Sequence, residues 1–107
     1  MKQARNYVFF IGLNDKNTKK QEITTTDAYK LAYNLLIEYF WGATIQESFW
    51  VYTHEDGTVV VEKSFKCEVT TDVTPLEVDA FIDDAKKVFN QESIMVQVQT
   101  DISTFFR

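Results

Sequence analysis

The stretch TIQESFWVYTHEDGTVVVEKSFKCEV, residues Thr44–Val69, decides the fold because it contains two strands and the turn that joins them. Runs of β-branched and aromatic residues flank an Asp-Gly pair, which is a strong hairpin signal. A three-residue loop, Glu55–Gly57, with Gly57 in the left-handed conformation places Val51 opposite Val61 and gathers the apolar side chains on one face. We therefore predict a β-hairpin in this register.

A helix is predicted on each side of the hairpin. Apolar residues recur at helical spacing over 26–40, and Gly42 offers the left-handed residue that ends many helices. The second helix starts at 74–77, Thr-Pro-Leu-Glu, where a capping threonine and a proline at the first position combine with a capping box. Strands over 5–14 and 93–100 complete the order β-α-β-β-α-β.

This order predicts an α+β domain of the ferredoxin-like type. Its four-stranded antiparallel sheet would have the order 4-1-3-2, with both helices on one face. With 107 residues, of which 45% are apolar, we expect one domain over 1–107. The other face would carry an apolar set that needs cover: Val8, Phe10, Trp50, Tyr52, Val60 and Met95. Either the chain's own tail, 102–106, or a partner such as a second copy would cover it.

Charge and cysteine content restrict the partners and the compartment. A net charge of −5 opposes direct binding to nucleic acid. Cys67 is the single cysteine, so an intramolecular disulfide is excluded and a cytoplasmic location is expected. The apolar run over 7–13 has no cleavage site after it and is too short to span a bilayer, so no membrane partner is expected. With one histidine and three glycines, we expect neither a metal site nor a phosphate-binding cofactor loop.

The charges are distributed unevenly along the chain. Residues 1–53 carry six basic and five acidic side chains, whereas residues 54–107 carry five basic and eleven acidic ones. A basic loop near the first strand contains Lys16, Lys19 and Lys20, and a solvated surface is its simplest interpretation. The second helix is expected to point an acidic group outward: Asp79, Asp83 and Asp84.

Several segments within residues 7–98 resemble a family of small ferredoxin-like domains of unknown function from bacteria and mobile elements. The segments are Phe10-Ile11-Gly12-Leu13-Asn14, Gly42-Ala43-Thr44-Ile45, Glu62 and Phe89-Asn90-Gln91-Glu92-Ser93-Ile94. Members of the family typically have Gly-x-Trp in the second strand, where this chain has Ser48-Phe49-Trp50 and lacks the glycine. The resemblance implies the fold. By analogy with small acidic proteins of phages and plasmids, it also suggests inhibition of a host enzyme.

Two functions are predicted. The lack of convergent catalytic groups favours a non-catalytic protein-binding module, an inhibitor of phage or plasmid type that acts on a host protein such as a defence nuclease, in the manner of an anti-CRISPR protein. Its interaction residues would be Phe10, Trp50, Tyr52, Val60, Met95, Asp79, Asp83 and Asp84. The alternative is a small cofactor-independent enzyme, of dimeric oxygenase type, with a pocket between sheet and helices. Its candidate residues are Asn14, Trp50, Tyr52 and His54.

Overall fold

The structure, a computed structural model, describes residues 4–100 as a four-stranded sheet with two helices. The elements in chain order are β1 (Arg5–Gly12), α1 (Thr25–Phe40), β2 (Thr44–Thr53), β3 (Val59–Thr71), α2 (Pro75–Val88) and β4 (Met95–Gln99). The strands are antiparallel in the order β2-β3-β1-β4, which reads 4-1-3-2 from the opposite edge. The predicted α+β class, with four antiparallel strands and two helices, is confirmed. The tail over 102–106 lies outside the described residues.

The hairpin has the predicted register. Val51 lies opposite Val61 in the β2–β3 ladder. The His54 amide donates to the Thr58 carbonyl at 2.9 Å, which leaves a three-residue loop, and Gly57 has a φ of 86°. This conformation is open to glycine because it has no Cβ to clash with the backbone. The turn chemistry therefore fixes which side chains face which side of the sheet.

The core lies between one face of the sheet and both helices. Alternate residues of β1 and β3 point into it, so that Phe9 is fully buried beside the Phe81 ring of α2, with centroids 4.7 Å apart. Burial raises the pKa of the Cys67 thiol to about 12, which keeps this side chain neutral and unreactive. The buried core residues are Tyr7, Phe9, Ile11, Leu13, Ala28, Ala32, Leu36, Phe65, Cys67, Val69, Val78, Phe81, Ala85 and Phe89.

Both helices begin at capping threonines. Thr74 accepts a hydrogen bond from the Glu77 amide at 3.3 Å, and Pro75 follows it at the first helical position. α1 ends at Phe40 as predicted, but the predicted capping residue was wrong, because Trp41 rather than Gly42 is left-handed, with a φ of 67°. The last helical hydrogen bond runs from the Trp41 amide to Ile37, so the chain turns one residue before the glycine. Within residues 4–100, neither helix has the length and apolar character needed to cross a membrane.

A side-chain hydrogen bond joins the two helices and corrects one prediction. The Tyr39 hydroxyl of α1 donates to Asp84 of α2, and this bond raises the pKa of Tyr39 to about 12. Asp79 and Asp83 are exposed as predicted, but Asp84 is half-buried and contacts α1. Successive helical residues differ in direction by about 100°, which turns Asp84 away from Asp83 and towards the neighbouring helix.

Replacing Phe81 should test how far the fold depends on this core. We expect Phe81→Ala to lower the free energy of unfolding by about 3–5 kcal/mol, because it removes a fully buried ring and leaves a cavity. Leu76→Ala in the same helix is the control and should change it by less than about 0.5 kcal/mol, because Leu76 is 79% exposed. Urea denaturation followed by circular dichroism measures both, and equal effects would contradict this account of the core.

Candidate functional site

A cavity of about 490 Å³ opens on the sheet face that the helices leave uncovered. The five apolar side chains predicted to form an interaction face on the sheet all line this cavity: Phe10, Trp50, Tyr52, Val60 and Met95. Asn14 and His54, predicted for the enzymatic alternative, line it as well. The acidic residues of α2 are not among the lining residues. The structure thus brings the sheet residues of both predicted functions to one site.

The predicted position of an enzyme pocket, between sheet and helices, was wrong. That space is filled by aromatic rings: the Phe81 ring lies 4.7 Å from Phe9 and 5.0 Å from Phe40, centroid to centroid. Among the described residues, the cavity on the helix side, beside Leu13, Ala28 and Phe89, has a volume of only about 110 Å³. This is below the roughly 300 Å³ at which small-molecule sites begin. The open space lies instead on the opposite face of the sheet.

The floor of the cavity is set by strand register. Gly12 of β1 lies opposite Ser64 of β3, which in turn lies opposite Ser48 of β2. The two serine hydroxyl oxygens are 2.7 Å apart and share a hydrogen bond. The next outward-facing pair along the hairpin is Trp50 and Glu62. Since alternate residues of a strand face the same side, small and polar groups form the floor at this point.

Gly12 makes room for a carboxylate above the sheet. A Cβ at this position would lie 2.6 Å from Glu62 Oε2 and 2.9 Å from Gln91 Oε1, closer than such atoms approach. Glu62 Oε2 accepts a hydrogen bond from the Asn14 amide at 2.8 Å, while Gln91 Nε2 donates to the Asn14 carbonyl at 2.6 Å. The Glu62 carboxylate is therefore fixed in place by the backbone of the chain just after β1.

Aromatic side chains on the outer part of the hairpin form a wall of the cavity. The β1–β3 ladder ends at Gly12 opposite Ser64, and the Leu13 amide donates to the Lys63 carbonyl at 3.0 Å, so residues 59–62 pair with β2 alone. Trp50 is 47% exposed there, and the Tyr52 ring meets the His54 ring edge to face at 5.4 Å. Half-exposed rings on a two-stranded ribbon keep a free aromatic face for a ligand.

Two loops form the rim and are joined through Asp15. Its Oδ1 accepts from the Asn17 and Thr18 amides at 2.8 and 3.1 Å, and its Oδ2 accepts from Asn90 Nδ2 at 2.8 Å. The Lys16 amide donates to the Asn90 carbonyl at 3.0 Å. The bonds to the Asp15 carboxylate, from Asn90 first and then from the Thr18 and Asn17 amides, hold the pKa of Asp15 below its ordinary value. We call this contact between residues 15–18 and Asn90 the rim clasp.

Several lining residues were missed by the sequence-based site prediction. Gly12, Glu62 and Gln91 appeared there only within the segments that resemble a family, and the lysine loop was interpreted as solvated surface. The available signal was the glycine inside an otherwise apolar strand, since such a glycine often marks a close approach. Within residues 4–100, no group of three His, Cys, Asp or Glu side chains could hold a metal ion. The missed lining residues are Gly12, Asp15, Lys16, Lys19, Glu62, Ser64, Gln91, Glu92 and Ser93.

The chain shares its fold with a phage SAM lyase. The structure of that lyase in complex with S-methyl-5'-thioadenosine superposes with a TM-score of 0.69 and 21% identity, over 94% of this chain and 83% of the other. Its apo state gives a TM-score of 0.62 and 22% identity, over 90% and 79% of the two chains. CutA from Synechococcus elongatus has a TM-score of 0.60 and 14% identity, over 95% of this chain and 80% of that one.

These likenesses establish the fold of the chain. The identities of 21%, 22% and 14% are too low to transfer a site or a reaction without further argument. No family model matches the sequence, and no curated protein matches it either. The function therefore has to be argued from the pocket itself.

The rim clasp should make the protein sensitive to acid. Because the pKa of Asp15 is lowered on folding, the clasp stabilises the protein above the unfolded pKa of about 3.9 and loses this effect as the pH falls through the folded value. Carboxyl-carbon NMR should give Asp15 a midpoint below about 3.9. Asn90→Ala should move that midpoint upward, whereas Asn34→Ala on the exposed side of α1 should not. An unchanged midpoint in Asn90→Ala would contradict the assigned cause.

Proposed function

We propose that this ferredoxin-like domain is a lyase that binds S-adenosyl-L-methionine (SAM) in the open-face pocket and releases S-methyl-5'-thioadenosine (MTA). The observation that carries the proposal is the pairing of Trp50 with Glu62 in the pocket, an aromatic ring beside a carboxylate that a backbone amide holds in place. The likeness of fold to a phage SAM lyase with bound S-methyl-5'-thioadenosine supports the choice of ligand.

The pocket matches the ligand in size and in the kinds of groups it offers. Its volume of about 490 Å³ falls in the range of about 300–1,000 Å³ that is usual for small-molecule sites. Adenine is a flat base, and stacking on an aromatic side chain such as Trp50 or Tyr52 contributes about 1–3 kcal/mol. The sulfonium of SAM is a cation without hydrogen-bond donors, which aromatic faces attract through their electron density.

We assign Glu62 to the ribose hydroxyls. Oε2 is fixed by the Asn14 amide, and the carboxylate as a whole can accept hydrogen bonds from two neighbouring hydroxyls. A position against the sulfonium fits the chemistry less well. The positive charge on sulfur disappears as the carbon–sulfur bond breaks, so a carboxylate there would stabilise the substrate more than the transition state. Through the ribose, Glu62 would bind SAM and MTA alike.

Cleavage needs no group beyond the substrate and the pocket. The bond between sulfur and the methionine chain breaks with its electron pair remaining on sulfur, which becomes the neutral thioether of MTA. A lyase consumes no water, so the four-carbon fragment is completed internally. Either its own carboxylate oxygen bonds to the carbon that sulfur leaves, or the electron pair of a C–H bond on the neighbouring carbon forms a double bond while the proton passes to the fragment's own carboxylate.

Incubation of the purified protein with SAM tests the proposal directly. We expect chromatography with mass spectrometry to show MTA accumulating in proportion to the protein concentration. The mass of the second product distinguishes a lactone from an unsaturated amino acid. Wild-type protein that neither forms MTA nor binds it would contradict the proposal.

Variants of the carboxylate and of the glycine below it test the assigned geometry. We expect Glu62→Gln to weaken MTA binding at least about tenfold, because a hydrogen bond to a charged group contributes about 1.5–3 kcal/mol. Gly12→Ala should act similarly, since its Cβ would displace the Glu62 carboxylate. Glu68→Gln is the matched control: Glu68 faces the same side of β3 but is not among the lining residues, and calorimetry should show unchanged affinity.

We propose as a second function that the protein binds a second copy of itself. The observation that favours it is an apolar patch on the outer hairpin, on the face opposite the pocket. Its four side chains are 58–66% exposed, although their strand positions face the helix side of the sheet: Phe49, Val51, Val59 and Val61. We call this group the hairpin patch. A group of exposed apolar residues of this kind is typical of an interface.

A second copy is the occupant to which the proposal commits, because a symmetric contact would cover the same patch on both chains at once. We expect light scattering after gel filtration to give a mass above that of one 12.5 kDa chain. Phe49→Asp should return the mass to that of a single chain. Trp41→Asp, which changes an exposed aromatic residue outside the patch, should not. A monomeric wild type would contradict self-association. The hairpin patch would then be a candidate surface for another protein, such as the host target of the predicted inhibitor.

A further inference from the structure

The loop between β1 and α1 brings two lysines into the pocket of a protein that is acidic as a whole. Lys16 and Lys19 line the same cavity as Trp50 and Glu62, in a chain of net charge −5. Lys20, the next residue, is not among the lining residues. The cavity therefore presents groups of both signs beside its aromatic wall, and this is the composition expected for a ligand that itself carries both signs.

The backbone that carries these lysines is held by hydrogen bonds. The Asp15 amide donates to the Lys20 carbonyl at 2.7 Å, and the Lys19 amide donates to the Asp15 carbonyl at 2.8 Å. The rim clasp adds the bond from the Lys16 amide to the Asn90 carbonyl. Lys19 has a φ of 64°, a conformation that residues other than glycine and asparagine seldom adopt. A closed loop of this kind fixes where its lysine side chains start and so lowers the ordering cost of binding.

The carboxylates nearby do not account for both lysines. Both oxygens of Asp15 already accept hydrogen bonds, from backbone amides and from Asn90. Glu62 is held by the Asn14 amide. Glu92 also lines the cavity, where it is exposed to solvent. Lys16 and Lys19 are exposed and line the cavity, so an incoming anionic group can reach them.

We propose that Lys16 and Lys19 bind the α-carboxylate of the amino-acid part of the ligand, so that the site selects an adenosyl ligand that carries this carboxylate. The proposal rests on the proposed function and specifies the end of the ligand that Glu62 does not hold. Lysine is suited to the role because its ammonium donates up to three hydrogen bonds to an anion. In this arrangement the ribose lies at Glu62 and the carboxylate lies at the lysine loop.

Two probes that SAM chemistry provides separate this role from the rest of the site. S-adenosyl-L-homocysteine keeps the carboxylate, but its sulfur is already neutral and could leave only as a thiolate. It therefore resists cleavage and can serve as an equilibrium probe. MTA shares its adenosine part and lacks the amino acid. We expect the double variant Lys16→Gln, Lys19→Gln to bind S-adenosyl-L-homocysteine at least about fivefold more weakly, because it loses two partly solvated contacts between opposite charges. It should change MTA binding by less than about twofold. Calorimetry with each probe measures both.

Lys20→Gln is the matched control, because it removes one charge from the same loop at a residue that does not line the pocket. It should leave both affinities unchanged, and Lys16→Arg with Lys19→Arg should retain most of the binding of S-adenosyl-L-homocysteine. In the wild type, added salt should weaken the binding of S-adenosyl-L-homocysteine more than the binding of MTA. This comparison tests the charge contact without any variant.

The outcomes distinguish the two proposals. A double variant that binds S-adenosyl-L-homocysteine as well as the wild type does would overturn the carboxylate site and leave the lyase proposal standing. An equal loss for both probes, or equal salt effects on both, would also overturn it, because a role in the carboxylate contact cannot affect MTA. A wild type that binds neither probe would contradict the lyase proposal and, with it, this one.

Discussion

The antiparallel register between β1 and β3 is the constraint on which both the core and the pocket depend. In this register Ile11 lies opposite Phe65, and Gly12 lies opposite Ser64. Side chains alternate between the two faces of a strand, so a slip of one residue would turn the apolar set of that strand out of the core. The same slip would remove Gly12 from beneath Glu62. Burial of the core residues therefore also fixes the geometry of the site on the opposite face.

The polar part of the site is built mainly on backbone groups. Glu62 is held by the amide of Asn14, Gln91 by the carbonyl of the same residue, and the two rim loops by the bond from the Lys16 amide to the Asn90 carbonyl. Backbone groups are positioned by the ladder and the loops and lose no rotamer freedom on binding. A site supported in this way is preorganised, which is what a small pocket needs for a specific ligand.

The outer hairpin has a different role from the rest of the sheet. Beyond Ser64 it lacks β1 as a neighbour, and it carries apolar side chains on both faces. One face supplies Trp50 and Tyr52 to the pocket, and the other carries the hairpin patch. Because little of this surface is buried within the chain, much of the favourable energy of its burial remains available for a ligand or a second chain.

The sequence by itself determined the features that depend on local chemistry. The Asp-Gly turn and the alternation around it specified the hairpin register, and Thr74 with Pro75 specified the start of α2. The apolar spacing also predicted the end of α1 at Phe40. Local signals identified neither Trp41 as its left-handed cap nor the direction of Asp84, which depends on how α1 and α2 pack. The strand alternation also placed five apolar lining residues on one face, whereas only the tertiary structure decided the polar part of the site. Glu62 and Gln91 are distant in the chain from Gly12 and the lysine loop, and they meet because strand pairing and the two rim loops bring them to one face.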